Sequence, residues 1–213
     1  MTDKVIKAAS EVNFKDYTSL TNTVGFLSYS LDEYNFSKDS KLKKNEKNAL
    51  IYSSILLVIA GLHYSVINSS NLTTQSEILI RYSDWIFTTP LLLKVLTSYY
   101  DLSDNISYEL ITYNLIMIMS GLIYELTNDI KFWVIGVISY FILIYRLYYV
   151  LPKLDLFFRY FVLGWGSYGG VSLMPKTKRL FAYNILDFYN KLIFAIEIRT
   201  QISTDVKNRQ NGL

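Results

Sequence analysis

The chain alternates long apolar stretches with short polar connections along almost its whole length. Seven stretches of roughly 17–23 residues stand out, each near the ~20 residues that a helix needs to cross a ~30 Å hydrocarbon core. They cover 17–36, 49–67, 78–99, 106–126, 132–150, 154–173 and 180–202. This pattern predicts an all-α fold, a bundle of seven transmembrane helices forming one membrane domain over 1–213. The first stretch is the most diluted, because Thr18, Ser19, Thr21, Asn22, Thr23, Asp32 and Glu33 interrupt its apolar residues.

Charge placement orients the expected bundle, since Lys and Arg flanking a span tend to stay cytoplasmic. The connection 37–48 carries Lys38, Lys41, Lys43, Lys44 and Lys47 against Asp39 and Glu46. The N-terminus is therefore expected outside. After seven crossings the tail with Arg199, Lys207 and Arg209 falls inside, while the basic run Lys176, Lys178 and Arg179 falls outside, against the rule. Residues 1–14 lack the apolar core of a cleavable signal, so the first helix is expected to act as its own insertion signal. The absence of cysteine excludes disulfides and thiolate chemistry, and a single histidine argues against a metal centre. No segment outside the bundle is long enough for an appended catalytic or signalling domain. The expectation is a non-enzyme whose partners are the lipid bilayer and small ligands rather than nucleic acid, with a homo-oligomer left open.

Chemistry enters through ionisable residues inside apolar stretches, each costing roughly 2.5–3.5 kcal/mol at bilayer depth even on lenient scales. Lys191 lies deep in the last stretch with Asp187 four residues before it, and Asp84 sits in the run from Arg81 to Pro90. At ~100° per residue, Thr88 and Val95 fall about 40° and 20° from Asp84, with Arg81 at about 60°. Trp85, Thr89 and Leu92 form an adjacent stripe. On the last stretch Asn184, Asp187, Lys191 and Ile198 share one face, and Glu197 points elsewhere.

The run Arg81-Tyr82-x-Asp84-Trp85-x-x-Thr88-Thr89-Pro90-Leu91-Leu92 resembles the third-helix signature of microbial rhodopsins, and Asp187-x-x-x-Lys191 resembles their seventh-helix retinal attachment site. Further matches are Met117 and Gly121 on the fourth stretch and Trp165 and Tyr168 on the sixth. The resemblance runs from Ala49 to Ile198. Short length and abundant Lys, Asn, Ile and Tyr are similar to the rhodopsins of large DNA viruses.

The resemblance implies all-trans retinal bound as a Schiff base on Lys191 in the centre of the bundle. It assigns Tyr82, Trp85, Thr89, Leu92, Met117, Gly121, Trp165 and Tyr168 to the retinal pocket. Asp84 is implied as proton acceptor, Thr88 as its hydrogen-bonding support, and His63 as a partner bonded to it, as in proteorhodopsins. Schiff base and Arg81 against Asp84 and Asp187 form a neutral tetrad, which avoids an uncompensated buried charge. Leu92 stands where leucine accompanies green absorption and glutamine blue.

Departures matter equally. Val95 occupies the position eleven after Asp84 where strong pumps carry a carboxylate, and Lys94 beside it is expected to snorkel to the cytoplasmic surface. Gly169 replaces a proline and Ser172 an aromatic residue, predicting a looser pocket. Asp32 and Glu33 are expected to be solvated, with the alternative that one of them or Glu46 guards a cytoplasmic ion entrance, and Tyr99, Tyr100, Tyr145, Tyr148 and Tyr149 to form interfacial belts. The leading functional expectation is a light-driven outward proton pump. The alternatives are a light-gated cation channel and, behind it, a sensory photoreceptor.

Overall fold

The computed structural model describes residues 14–69, 72–152 and 156–212, and among these every regular element is helical. The expectations for 1–13 and for the start of the sixth helix at 154 lie outside the described residues. Five continuous helices come first: α1 Phe14–Phe36, α2 Lys44–Ser69, α3 Thr74–Tyr99, α4 Asp104–Thr127 and α5 Ile130–Val150. The sixth, α6, combines a wide π-helical stretch Phe157–Trp165 with Gly166–Val171. The seventh, α7, runs through Lys176–Asp187, a second π-helical stretch Phe188–Ile193, and Phe194–Gln210.

Helix ends follow local chemistry. Thr73 caps α3 by accepting from the Ser76 N–H at 3.2 Å, and Asp129 caps α5 by accepting from the Lys131 N–H at 3.0 Å. Asn128 ends α4 in the left-handed conformation, φ 58°, where its N–H donates to the Tyr124 carbonyl at 2.7 Å. At the start of α2, Glu46 reaches back to the Lys43 N–H at 2.8 Å, the reciprocal half of a capping box. This is why α2 begins at Lys44, five residues before its apolar stretch. At the other end of the chain Arg209 grips Glu46 with two hydrogen bonds of 2.7 and 2.8 Å, and α7 accordingly continues to Gln210 instead of stopping at 202.

Consecutive helices from α1 to α5 pack side by side, and α7 returns against α1 to close the bundle. The main core gathers Phe26, Leu57, Leu92, Val95, Leu143, Phe161 and Ile198, while a smaller cluster of Tyr82, Trp85, Ile118 and Tyr183 sits near one end. Phe87, Phe141, Tyr145, Tyr149 and Phe158 are exposed, an apolar exterior suited to lipid. Among the described residues, three helices are long and apolar enough by themselves to cross a membrane, over Lys44–Asn68, Asp104–Thr127 and Ile130–Val150. The buried faces of α1, α3 and α7 carry polar and charged residues among their apolar ones, and these build the site.

Two surface expectations are corrected. Glu33 is fully buried rather than solvated, and only its neighbour Asp32 is exposed, paired with Arg199. Adjacent residues on a helix point ~100° apart, and Glu33 shares the buried face of α1 with Ser30 and Ser37. Tyr99 is also buried, donating to Asp205 at 3.1 Å, and belongs to the packing rather than to an interfacial belt.

Candidate functional site

Lys191 lies in the π-helical stretch of α7, a wide turn of the sort that recurs at functional positions. Its side chain is buried, and its Nζ contacts the Asp84 carboxylate and lies 3.6 Å from Asp187 Oδ2. Three donors converge on Asp187: Tyr64 at 2.7 Å, Tyr168 at 2.6 Å and the Trp85 indole at 3.0 Å. Asp84 is far less well held. One of its oxygens meets Lys191, and the other, Oδ1, accepts no hydrogen bond.

Two expected supports of Asp84 prove to be indirect. The Thr88 hydroxyl donates to the Asp84 backbone carbonyl at 2.9 Å instead of the carboxylate, the back-bonding that threonine favours within a helix. His63 Nδ1 is 3.8 Å from Asp84 Oδ1, too far for a hydrogen bond, and is engaged at 2.9 Å by the Ile59 carbonyl. Its influence on Asp84 is therefore electrostatic.

The expected neutral tetrad also changes. Arg81 hydrogen-bonds Glu77 at 2.7 Å, Asn184 at 2.5 Å and Tyr64 at 3.1 Å, rather than Asp84 or Asp187. Adding Glu77 to Lys191, Arg81, Asp84 and Asp187 brings the formal sum to minus one. Tyr64 bridges Arg81 to Asp187, so the cluster is one continuous hydrogen-bonded network. A second buried pair, Arg179 with Glu125 at 3.0 Å, lies beside it.

An apolar cavity of about 390 Å³ begins at Lys191 and Asp187 and runs between α3, α4, α5 and α6. Tyr82, Trp85, Thr89, Leu92, Met117, Gly121, Trp165 and Tyr168 all line it, so the eight residues named for the pocket meet in one space. Thr89 is fastened by donating to Asn114 at 2.7 Å. A Cβ on Gly121 would meet the Tyr82 hydroxyl at 2.9 Å, and one on Gly166 the Tyr140 hydroxyl at 2.8 Å. Glycine thus keeps the walls close without filling the space. At Gly169 a Cβ would meet nothing within 4 Å, which agrees with the looser end, although Trp133 from α5 reaches over to bond Gly169 and Ser172. A long apolar channel ending on a buried lysine amine fits a polyene aldehyde.

Sequence reasoning did not single out Tyr64, Glu77, Asn114, Trp133 or Tyr140. Trp133, Gly136 and Tyr140 recur at helical spacing on one face of α5, a signal too common among lipid-facing helices to stand out. Glu77 lies four residues before Arg81, one helical turn, but outside the apolar stretch. Lys94 pairs with Asp104 at 2.9 Å, and Glu197 turns to Tyr160 at 2.9 Å and to Arg159, away from the cavity.

Comparison with known proteins supplies the family. Bacteriorhodopsin-like proteins match residues 18–202. No curated protein sequence matches the chain. Among solved structures it is similar to the viral rhodopsin OLPVRII, with TM-score 0.83 and 20% identity over 90% of this chain and 99% of that one. A blue light-absorbing proteorhodopsin from Med12 gives 0.77 and 19%, over 92% and 99%. A light-driven proton pump from Leptosphaeria maculans gives 0.76 and 20%, over 90% and 97%. Members of the family are mostly pumps or channels, and they bind retinal through a Schiff base to a lysine. The chain belongs to the bacteriorhodopsin-like family, and is a microbial rhodopsin embedded in the membrane as a seven-helix bundle.

Proposed function

We propose that this chain is a light-driven outward proton pump, with all-trans retinal on Lys191, the N-terminus outside and the C-terminal tail in the cytoplasm. The observation that carries the reading is the unequal treatment of two carboxylates within reach of one amine. Asp187 has three donors in addition to Lys191, and is the fixed counter-charge. Asp84 keeps one oxygen without a hydrogen bond, and is the carboxylate with room for a proton. Bound retinal supplies light absorption and an isomerisation that redirects the Lys191 nitrogen. Asp84 then takes the proton from that nitrogen, and the Arg81–Glu77–Tyr64 network leads on toward the outer surface. Thr88 and His63 fix and bias Asp84. Tyr82, Trp85, Thr89, Leu92, Met117, Gly121, Trp165 and Tyr168 hold and colour the chromophore.

A light-gated cation channel is the second reading, favoured by the polar stripe of Ser19, Asn22, Ser30, Glu33 and Ser37 buried along α1. Phe26, fully buried and edge-on to Tyr64 at 5.7 Å, interrupts that stripe midway and supports the pump instead. The deciding measurement is the external pH of a lightly buffered cell suspension under green light. Acidification abolished by a protonophore supports the pump. Pigment without acidification, with a photocurrent that reverses with the ion gradient, supports the channel.

A further inference from the structure

Resting on the pump reading, a question follows from Val95: what returns a proton to Lys191 from the cytoplasmic side? Val95 is fully buried and apolar, and Lys94 beside it is tied to Asp104 near the helix end. Glu33 on α1 is fully buried, and neither of its oxygens hydrogen-bonds another described residue. A carboxylate held this way is far costlier charged than neutral. Its surroundings are Tyr29 and Asp32 on its own helix, Ser53 on α2 and Arg199 on α7. Arg199 is committed to Asp32, with its guanidinium 5.6 Å from the Tyr29 ring and 4.8 Å from Phe36.

Depth can be read from the pairing of α1 with α7, which run in the same direction. Gly25 approaches Leu192, next to the lysine, and Asp32 meets Arg199. Eight residues separate Lys191 from Arg199, so Glu33 lies ~12 Å inward of the lysine along the bundle. A polar cavity of about 380 Å³, lined by Asn45, Asn48, Tyr52, Lys94 and Asp104, opens at this end between α2 and α3. Tyr52 on its wall is the chain neighbour of Ser53, which faces Glu33.

We propose that Glu33 is the internal proton donor of this protein, taking over from α1 the part that Val95 cannot play on α3. The O–H bond at Glu33 breaks, an N–H bond forms at Lys191, and the Glu33 carboxylate takes a replacement proton from the cytoplasm through the polar cavity. The gap exceeds one hydrogen bond, so water relays the proton.

The test is flash spectroscopy on the retinal-loaded protein in lipid vesicles, following return of the visible band. E33Q slows that return on the order of 10²-fold, E33D stays close to wild type, and added azide, a small diffusible acid, restores E33Q. A structural role would give slowing that azide leaves unchanged. Infrared difference spectra of wild type labelled with carbon-13 glutamate show a protonated glutamic acid band disappearing as the visible band returns, and this decides the matter if E33Q yields no pigment. Normal return in E33Q, or no such band, overturns the assignment. Acidification by wild type together with normal return in E33Q overturns the donor alone. Absence of acidification overturns the pump reading and the donor with it.

Discussion

Asp187 and Glu33 are both completely buried carboxyl groups on helices that face each other, yet their surroundings are opposite. Asp187 is met by Tyr64, Trp85, Tyr168 and Lys191, whereas Glu33 has Tyr29 and Ser53 beside it but no donor in close hydrogen-bonding geometry among the described residues. Burial alone therefore says little about what an acid does. A buried carboxylate ringed by donors is a permanent charge that organises its neighbours. A buried carboxyl with none is a place where a proton can be stored and released, and Asp84, with one oxygen engaged and one not, stands between the two extremes.

The comparison breaks most completely at its centre. Replacing Lys191 by Ala removes the amine that Asp84 and Asp187 both address, and the retinal-dependent visible band is lost entirely. A surviving band in that variant would end the whole reading. Next in size, D84N keeps the pigment but loses light-driven acidification, because the amide cannot accept the proton; persistent acidification would transfer the acceptor role elsewhere. H63N sharpens the intermediate case. With His63 acting across 3.8 Å and not through a hydrogen bond, the pH at which the colour changes shifts while pumping persists, and an unmoved spectral titration would show the histidine to be a bystander. The smallest effect is spectral. Leu92 is buried against the cavity, and absorption spectra are expected to show a green maximum for wild type and a blue-shifted one for L92Q with transport unaltered, a blue wild-type maximum counting against it.

The seven helices were legible because a spanning helix must hide its backbone in an apolar run, and such runs are long enough to see. Their ends were not, since polar turns such as Lys44 to Glu46 and the stretch beyond Ile202 stay helical through caps and ion pairs that no apolar run records. Asp187 could be placed from spacing, four residues from Lys191, whereas the cavity residues were placed by the resemblance to microbial rhodopsins. The partners of Arg81 and Asp84 were harder. Glu77, one turn before Arg81, fell outside the apolar stretch, and Thr88 and His63 spend their hydrogen bonds on main-chain carbonyls. Asp32 and Glu33 present two adjacent acids in one polar helix, and without knowing where α7 lies no periodicity says which one faces in.

The phenylalanine in the middle of the α1 stripe has an electrical meaning. Polar side chains reach Lys191 from one end of the bundle and Glu33 from the other, and between those levels Phe26, Leu57, Val95, Ala195 and Ile198 outnumber the small polar residues Ser30 and Ser54. A resting potential does ~2.3 kcal/mol of work per elementary charge at 100 mV, and a field collapses across whatever layer conducts least. On the pump reading, the least polar layer of this molecule is the stretch between Lys191 and Glu33 that water must bridge, and the larger share of the membrane voltage acts on the proton transfer across it.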